Sequence, residues 1–129
     1  MNFDLDFSEC KNEQQFKMKF IKELLSRIHN YSFCIETEET IRGFPDVMCI
    51  NIPREDVRVP FFYEFKISDK SGKIKFQPTQ PAFYKSHKDL GITVIALNKK
   101  TGKAHSFPVE DLFCKKSKYY MNEKAEVRL

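Results

Sequence analysis

The run ITVIALN, Ile92 to Asn98, restricts the fold more than any other stretch of this chain. It is continuously apolar, rich in β-branched residues and of strand length, which suits a central strand covered on both faces. Pro78, at a first helical position, begins a short helix that runs through Lys88 or Leu90 and ends at Gly91. A helix leading into a buried strand makes a crossover, so ITVIALN lies parallel to its sheet neighbour. The fold class is therefore α/β, a small mixed β-sheet with flanking helices.

Upstream, FFYEFKI alternates from Phe61 to Ile67, placing Phe61, Tyr63, Phe65 and Ile67 on one face and Phe62, Glu64 and Lys66 on the other. Taken alone, a Glu and a Lys on one side of a strand suit a solvated face. Asp46 to Ile52 reads as another strand, broken by Pro53, and Tyr31 to Thr37 as a third, with a turn over Glu38 to Phe44 closed by Gly43. PREDVRVP reads as a polar loop and SDKSGK as a turn. The three strands are close enough for an antiparallel meander. Before them, from Asn12 to about His29, Met18, Ile21, Leu25 and Ile28 adjoin Phe16, Phe20 and Leu24 at helical spacing. Asn12 with Gln15 fits a capping box, and Glu13 sits in the favourable first turn. After ITVIALN come the turn NKKTGK, a last short strand from Ala104 to Pro108, the segment Val109 to Phe113, and a basic tail over 115–129. At 129 residues this is one domain.

With 41% hydrophobic residues, 13 Phe and no Trp, the composition is globular. No apolar run approaches the roughly 20 residues of a membrane helix. MNFDLDFSECKNEQQ has neither a basic start nor an apolar core, so it is not a signal peptide and a cytoplasmic location is expected. Cys10, Cys34, Cys49 and Cys114 are scattered, with no CxxC and no His at ligand spacing, and read as reduced thiols. Charge is uneven: residues 1–40 carry eight acids against five bases, whereas residues 66–103 carry nine lysines against Asp69 and Asp89. A lysine-rich half interleaved with Phe and Tyr is the footprint of a surface that follows a phosphate backbone, and equally of a soluble lysine-rich surface.

Asp46 opens the second strand. If that strand and the third pair as a hairpin, an acid at the start of one approaches Glu64 and Lys66 near the end of the other. Two carboxylates from adjacent strands make a hard oxygen site suited to Mg²⁺ or Mn²⁺. Such an ion polarises a phosphodiester and acidifies water, and an adjacent ammonium orients that water or offsets developing charge. RGFPDV, then Glu64-Phe65-Lys66 eighteen residues after Asp46, then Gln80 on the following helix, together resemble the PD-(D/E)XK nuclease superfamily. Within it, the chain looks most like the small stand-alone members, the phage-type VRR-NUC nucleases and the Holliday-junction resolvases. The match runs from the first helix to ITVIALN, about two thirds of the chain.

The resemblance implies a restriction-endonuclease-like αβββαβ core and assigns roles by position. Asp46 and Glu64 would be metal ligands, with the Phe65 carbonyl a third, and Lys66 the catalytic lysine. Gln80 matches the helix glutamine beside the site, and Gln77 is its less suitable substitute because it precedes Pro78. Many members use a glutamate on the first helix; Glu13 is the choice, leading the row Phe16, Phe20 and Leu24, and Glu23 the reserve. Tyr84 and Lys88, at i+4 and i+8 from Gln80, would extend one helical stripe along nucleic acid, with Lys73, Lys75 and Lys85 as further backbone contacts. The implied function is a Mg²⁺- or Mn²⁺-dependent endonuclease cutting DNA, branched DNA included, as a homodimer in recombination or repair, inside a bacterial or phage-infected cell. The alternatives are a non-catalytic nucleic-acid-binding protein of the same fold, and a protein-interaction module.

Overall fold

A computed structural model of the chain describes residues 2–23, 31–36 and 43–129, with residues 2–4, 31–36 and 53 described by backbone alone. In chain order the elements are β1 (Asn2–Asp6), α1 (Glu13–Glu23), β2 (Tyr31–Glu36), β3 (Val47–Arg54), β4 (Val57–Ile67), β5 (Lys73–Lys75), α2 (Thr79–Ser86), β6 (Thr93–Asn98), β7 (Lys103–Pro108) and β8 (Glu126–Arg128). Short 3₁₀ turns cover Lys88–Leu90 and Val109–Phe113. Six strands form one mixed sheet in the order β1-β7-β6-β4-β3-β2, and β5 and β8 form a two-stranded ribbon. Strands β2, β3 and β4 make the expected antiparallel meander, and the crossover through α2 lays β6 parallel to β4. The chain is a mixed α/β fold. Among the described residues no helix is long and apolar enough to cross a membrane.

The sheet is covered on both sides, which is why β6 needs no polar face: Val94, Ile95, Ala96 and Leu97 are each at most 1% exposed. On one side α1 presses Phe16 and Phe20 onto Phe65, with edge-to-face ring distances of 5.7 and 5.3 Å, and Phe7 completes the cluster. Full burial of a ring such as Phe65 stabilises by about 1.5–3 kcal/mol. On the other side α2 sets Phe83 and Tyr84 against Phe62, Val94 and Ala96. Helix α1 begins as the sequence proposes. Asn12 Oδ1 accepts from Gln15 N–H at 2.8 Å, and Gln15 Oε1 reaches back to Lys11 N–H, one residue further than the standard box. Met18 is half exposed, because two residues past Phe16 is about 200° round the helix. Residues Leu24 to His29 of the expected helix, and the turn residues Glu38 and Glu39, lie outside the described residues.

Two expectations, for PREDVRVP and for Cys49, are corrected, and both terminal segments take up structure that local sequence patterns did not assign. PREDVRVP is not a loop: β3 runs to Arg54 and β4 starts at Val57, so the hairpin turns at Glu55-Asp56, and Pro60 is accommodated opposite Ile50. The acidic start NFDLD is an edge strand on β7. Leu5 packs against the α1-side core while Asp6 is exposed. The basic tail folds back onto the sheet. Tyr119 stacks on Phe107 at 4.3 Å, and Tyr119, Met121 and Val127 are buried beneath the α2 side of the sheet, because apolar residues interrupt the lysines. Cys10 and Cys114 are free thiols as expected, but Cys49 is disulfide-bonded, with Cys34 opposite it in the β2–β3 ladder.

Candidate active site

The site begins where the β3–β4 ladder ends. Val47 lies opposite Tyr63, which leaves Asp46 and Glu64 facing one another at the next position outward. Their carboxylates replace ladder bonds: Asp46 N–H donates to Glu64 Oε2 at 3.2 Å, and Phe65 N–H donates to Asp46 Oδ2 at 3.0 Å. Asp46 is delivered by the GFP segment, which runs close against α2. Gly43 has φ +87°, and a Cβ there would stand 2.6 Å from the Thr79 carbonyl oxygen and 2.7 Å from Phe83 Cβ. Only glycine fits that approach without displacement.

The alternation of β4 places Glu64 and Lys66 on the same face as Phe62, yet that face is not solvated. Helix α2 covers it, leaving Glu64 2% and Lys66 7% exposed. Buried charge persists only when it is paired and hydrogen-bonded, and Gln80, 8% exposed, is what connects the two groups. Gln80 Nε2 donates to Glu64 Oε1 at 2.6 Å, while Gln80 Oε1 accepts from Lys66 Nζ at 2.9 Å and from Gln77 N–H at 2.8 Å. Two donors converge on that oxygen, so the amide has one orientation. Lys66 Nζ stands 3.8 Å from Glu64 Oε1 and 5.1 Å from the Phe76 ring centroid, over its face. Gln77 therefore does not substitute for Gln80; its backbone holds Gln80 in place.

Loss of hydration governs the electrostatics of the cluster, and the charge of the neighbouring acids adds to it. Glu64 is pushed up to about 8, first by loss of hydration and then by Asp46, against the opposing effects of Lys66 and the Gln80 hydrogen bond. Glu13 joins this group. The residue as a whole is exposed, but its carboxyl turns in to accept from Ile67 N–H, and partial desolvation raises its pKa, with Lys66 lowering it and Asp46 raising it. Glu23 lies ten residues further along α1, about 15 Å along the axis, and takes no part. The structure thus brings Asp46, Glu64, Lys66, Gln80 and Glu13 to one end of β4. Asp46 and Glu13 are its accessible members, so the cluster opens to solvent on their side.

The proposed nucleic-acid stripe is a different matter. Tyr84 follows Gln80 by one turn but is fully buried, its ring 6.1 Å from Phe76, so it cannot lie along a backbone. Its hydroxyl has no hydrogen-bond partner among the described residues. Burial raises its pKa first, and the charges of Glu64 and Asp46 add to the rise, which places the hydroxyl in the field of the site. Lys88 is exposed but falls in the 3₁₀ turn beyond the end of α2. Lys85 is exposed with its ammonium 5.1 Å from the Phe113 ring centroid. Lys73 pairs with Glu126 at 3.5 Å, and Lys75 is exposed on the same ribbon. Phe76, which faces the Lys66 ammonium, was not singled out in the sequence; an aromatic two residues before a helix-starting proline carries no signal of its own.

Among the described residues no three His, Cys, Asp or Glu side chains converge as a metal cage. The donor set is the smaller pair Asp46 and Glu64. That pair suits Mg²⁺, which is held through one or two carboxylates and keeps several waters. Asp46 and Glu64 set two acids against the one ammonium of Lys66, and the orphan Tyr84 hydroxyl is a buried group in need of a partner. On both counts the residues fit a hydrated divalent cation. No protein-family model matches the chain, and no curated protein matches it.

Proposed function

We propose that the chain is a divalent-metal-dependent endonuclease that hydrolyses nucleic-acid phosphodiesters, with a restriction-endonuclease-like core. The observation that carries this reading is the buried Glu64–Gln80–Lys66 network set against Asp46 at the open end of β4. A binding protein has no use for two carboxylates where phosphates approach, since they repel the ligand. An acid pair beside one fixed ammonium suits metal-assisted phosphodiester hydrolysis, the acids to hold an ion and the ammonium to offset developing charge.

Asp46, Glu64 and the Phe65 carbonyl would hold Mg²⁺ or Mn²⁺, which supplies Lewis-acid polarisation of the phosphodiester and a more acidic water. Lys66 presents a positive charge to the attacking water or to the phosphate oxygens. Gln80 fixes the lysine's rotamer, so little reorganisation is needed when charge develops. Glu13, exposed at the rim, accepts a proton from water at the open side. DNA is the proposed substrate and a homodimer the proposed working state, because one chain supplies one site and paired cuts need two. Resolution of branched DNA belongs to the same proposal.

The test is cleavage of supercoiled, linear, single-stranded and four-way-junction DNA in Mg²⁺, in Mn²⁺ and in chelator, beside Asp46→Asn and Lys66→Ala. Cleavage that needs the metal and fails in both variants supports the reading. Cleavage that persists in chelator or survives both substitutions overturns it, and binding without cleavage on every substrate returns the non-catalytic alternative.

A further inference from the structure

Lys66 carries its charge in a buried place with few partners. An ammonium has three N–H donors, and among the described residues one of them is hydrogen-bonded, to Gln80 Oε1 at 2.9 Å. Glu64 Oε1, at 3.8 Å, attracts the charge but lies beyond hydrogen-bond reach. On another side stands the Phe76 ring, with Nζ over its face at 5.1 Å from the centroid. An aromatic face carries negative potential, and a cation within about 6 Å of the centroid is attracted to it, the more strongly where water is excluded. This attraction acts on the charge as a whole. Unlike a carboxylate or an amide, the ring does not need to take up an N–H donor to exert it.

The ring is itself held in place. Phe76 directly follows β5 and is 5% exposed. Its N–H donates to the Ala125 carbonyl at 3.0 Å, which ties it to the turn before β8, and its ring meets that of Tyr84 edge-on at 6.1 Å. The five residues Phe76 to Gln80 thus supply both the ring and the amide, and Gln77 N–H fixes the amide oxygen. Ala125 lies in the tail, outside the part of the chain that resembles the nucleases. Lys66 is therefore seated between an amide oxygen and a ring face, each anchored by a backbone contact, with two N–H donors left over among the described residues.

We infer that Phe76 is a positioning residue, whose ring face holds the Lys66 ammonium by cation–π attraction while leaving two N–H donors for water or a phosphate oxygen. The use of those donors in phosphodiester cleavage rests on the nuclease reading above; the holding does not. Phe76 also belongs to the α2-side core, so the test varies the electrostatics of the ring at nearly constant shape. Phe76 is replaced by monofluorinated and by trifluorinated phenylalanine, which draw electron density from the face, and by leucine in Phe76→Leu, which removes the face and keeps an apolar side chain. Trifluorination at Phe107, a buried ring of the same core stacked on Tyr119, is the control.

In chelator, exchange of the Lys66 ammonium protons with water is followed by NMR of isotope-labelled lysine, the signal being assigned by its absence from Lys66→Ala. Exchange requires the ammonium to leave its seat. It should quicken in the order parent, monofluorinated, trifluorinated, Phe76→Leu, by about ten-fold at the end of the series, while the fluorinated proteins melt like the parent. In Mg²⁺, kcat for DNA cleavage should fall in the same order, by about ten-fold in Phe76→Leu, with KM within about two-fold and no change from the Phe107 control. Exchange that ignores fluorination, or that responds equally at Phe107, overturns the assignment whether or not the protein cleaves. So does cleavage at one kcat across the series. Graded exchange with no cleavage even by the parent would keep Phe76 as the seat of the lysine and refute the nuclease.

Discussion

The Gln80 side-chain oxygen accepts a hydrogen bond from the Lys66 ammonium at 2.9 Å, in a place where the lysine side chain is only 9% exposed. Lys66 lies closer to this neutral amide than to Glu64, so its position depends on α2 as much as on its own strand. Truncation at Gln80→Ala leaves a buried ammonium, a buried carboxylate and Gln77 N–H each short of a partner. Leaving such groups unsatisfied costs about 1–3 kcal/mol apiece, offset in part by water entering the space. We expect a loss of at least about 2 kcal/mol in urea unfolding, together with loss of metal-dependent cleavage. Gln80→Glu should keep the lysine contact but remove the donor to Glu64, and so fail in cleavage while retaining more stability than the alanine variant.

The raised pKa of Glu64 sets a pH dependence with a definite sign. Its folded value of about 8 lies above the ordinary 4.5, so the folded state binds the proton more tightly than the unfolded state. In chelator, this group contributes nothing to pH dependence below about 4.5, and its ionisation destabilises the fold progressively as pH rises to about 8. A cation must displace that proton, so Mg²⁺ affinity should increase with pH until about 8 and then level off. Thermal melts with and without Mg²⁺ between pH 5 and 9 check both slopes. A metal-induced rise in Tm that is the same at every pH would remove Glu64 from the ligand set.

Tyr84→Phe deletes a buried hydroxyl that has no partner among the described residues. With the ring retained in its contact with Phe76, the metal-free protein should gain about 1 kcal/mol, read by urea unfolding in chelator. If the hydroxyl serves a hydrated ion, the same variant should bind Mg²⁺ more weakly than the parent. Stability and metal affinity then move in opposite directions, which a purely structural tyrosine would not produce.

Two backbone positions make opposite predictions. Gly43→Ala forces a Cβ against the Thr79 carbonyl at φ +87°, and should destabilise by roughly 2–4 kcal/mol while displacing the segment that carries Asp46. Ala125 has φ +58° in a turn held by Asn122, whose Oδ1 accepts from Lys124 and Glu126 N–H. Ala125→Gly relieves that strain and should stabilise by about 1 kcal/mol. Equilibrium unfolding of the two variants beside the parent measures both signs.

Local patterns in the sequence were enough for the order of the central elements. Continuous apolarity marked β6 as buried, the period of two marked β4, and a helix between them required a parallel pair; these are short-range rules that act within a few residues. Asp46, Glu64 and Lys66 were legible through the expected hairpin, which leaves few ways to arrange them, whereas Gln80 was legible only through the resemblance to PD-(D/E)XK nucleases. What the alternation of FFYEFKI left open was which of its faces meets water. A period of two reports that two faces differ, and Glu with Lys would ordinarily mark the wet one. Tertiary packing decided otherwise, because α2 and the folded-back tail cover that side and bury the pair. The same coverage placed Tyr84 inside rather than along a surface stripe, and made the basic tail part of a core. Burial arises from contacts among residues far apart in sequence, so the desolvation that raises Glu64, and with it the chemistry proposed for the site, exists only once the layers have assembled.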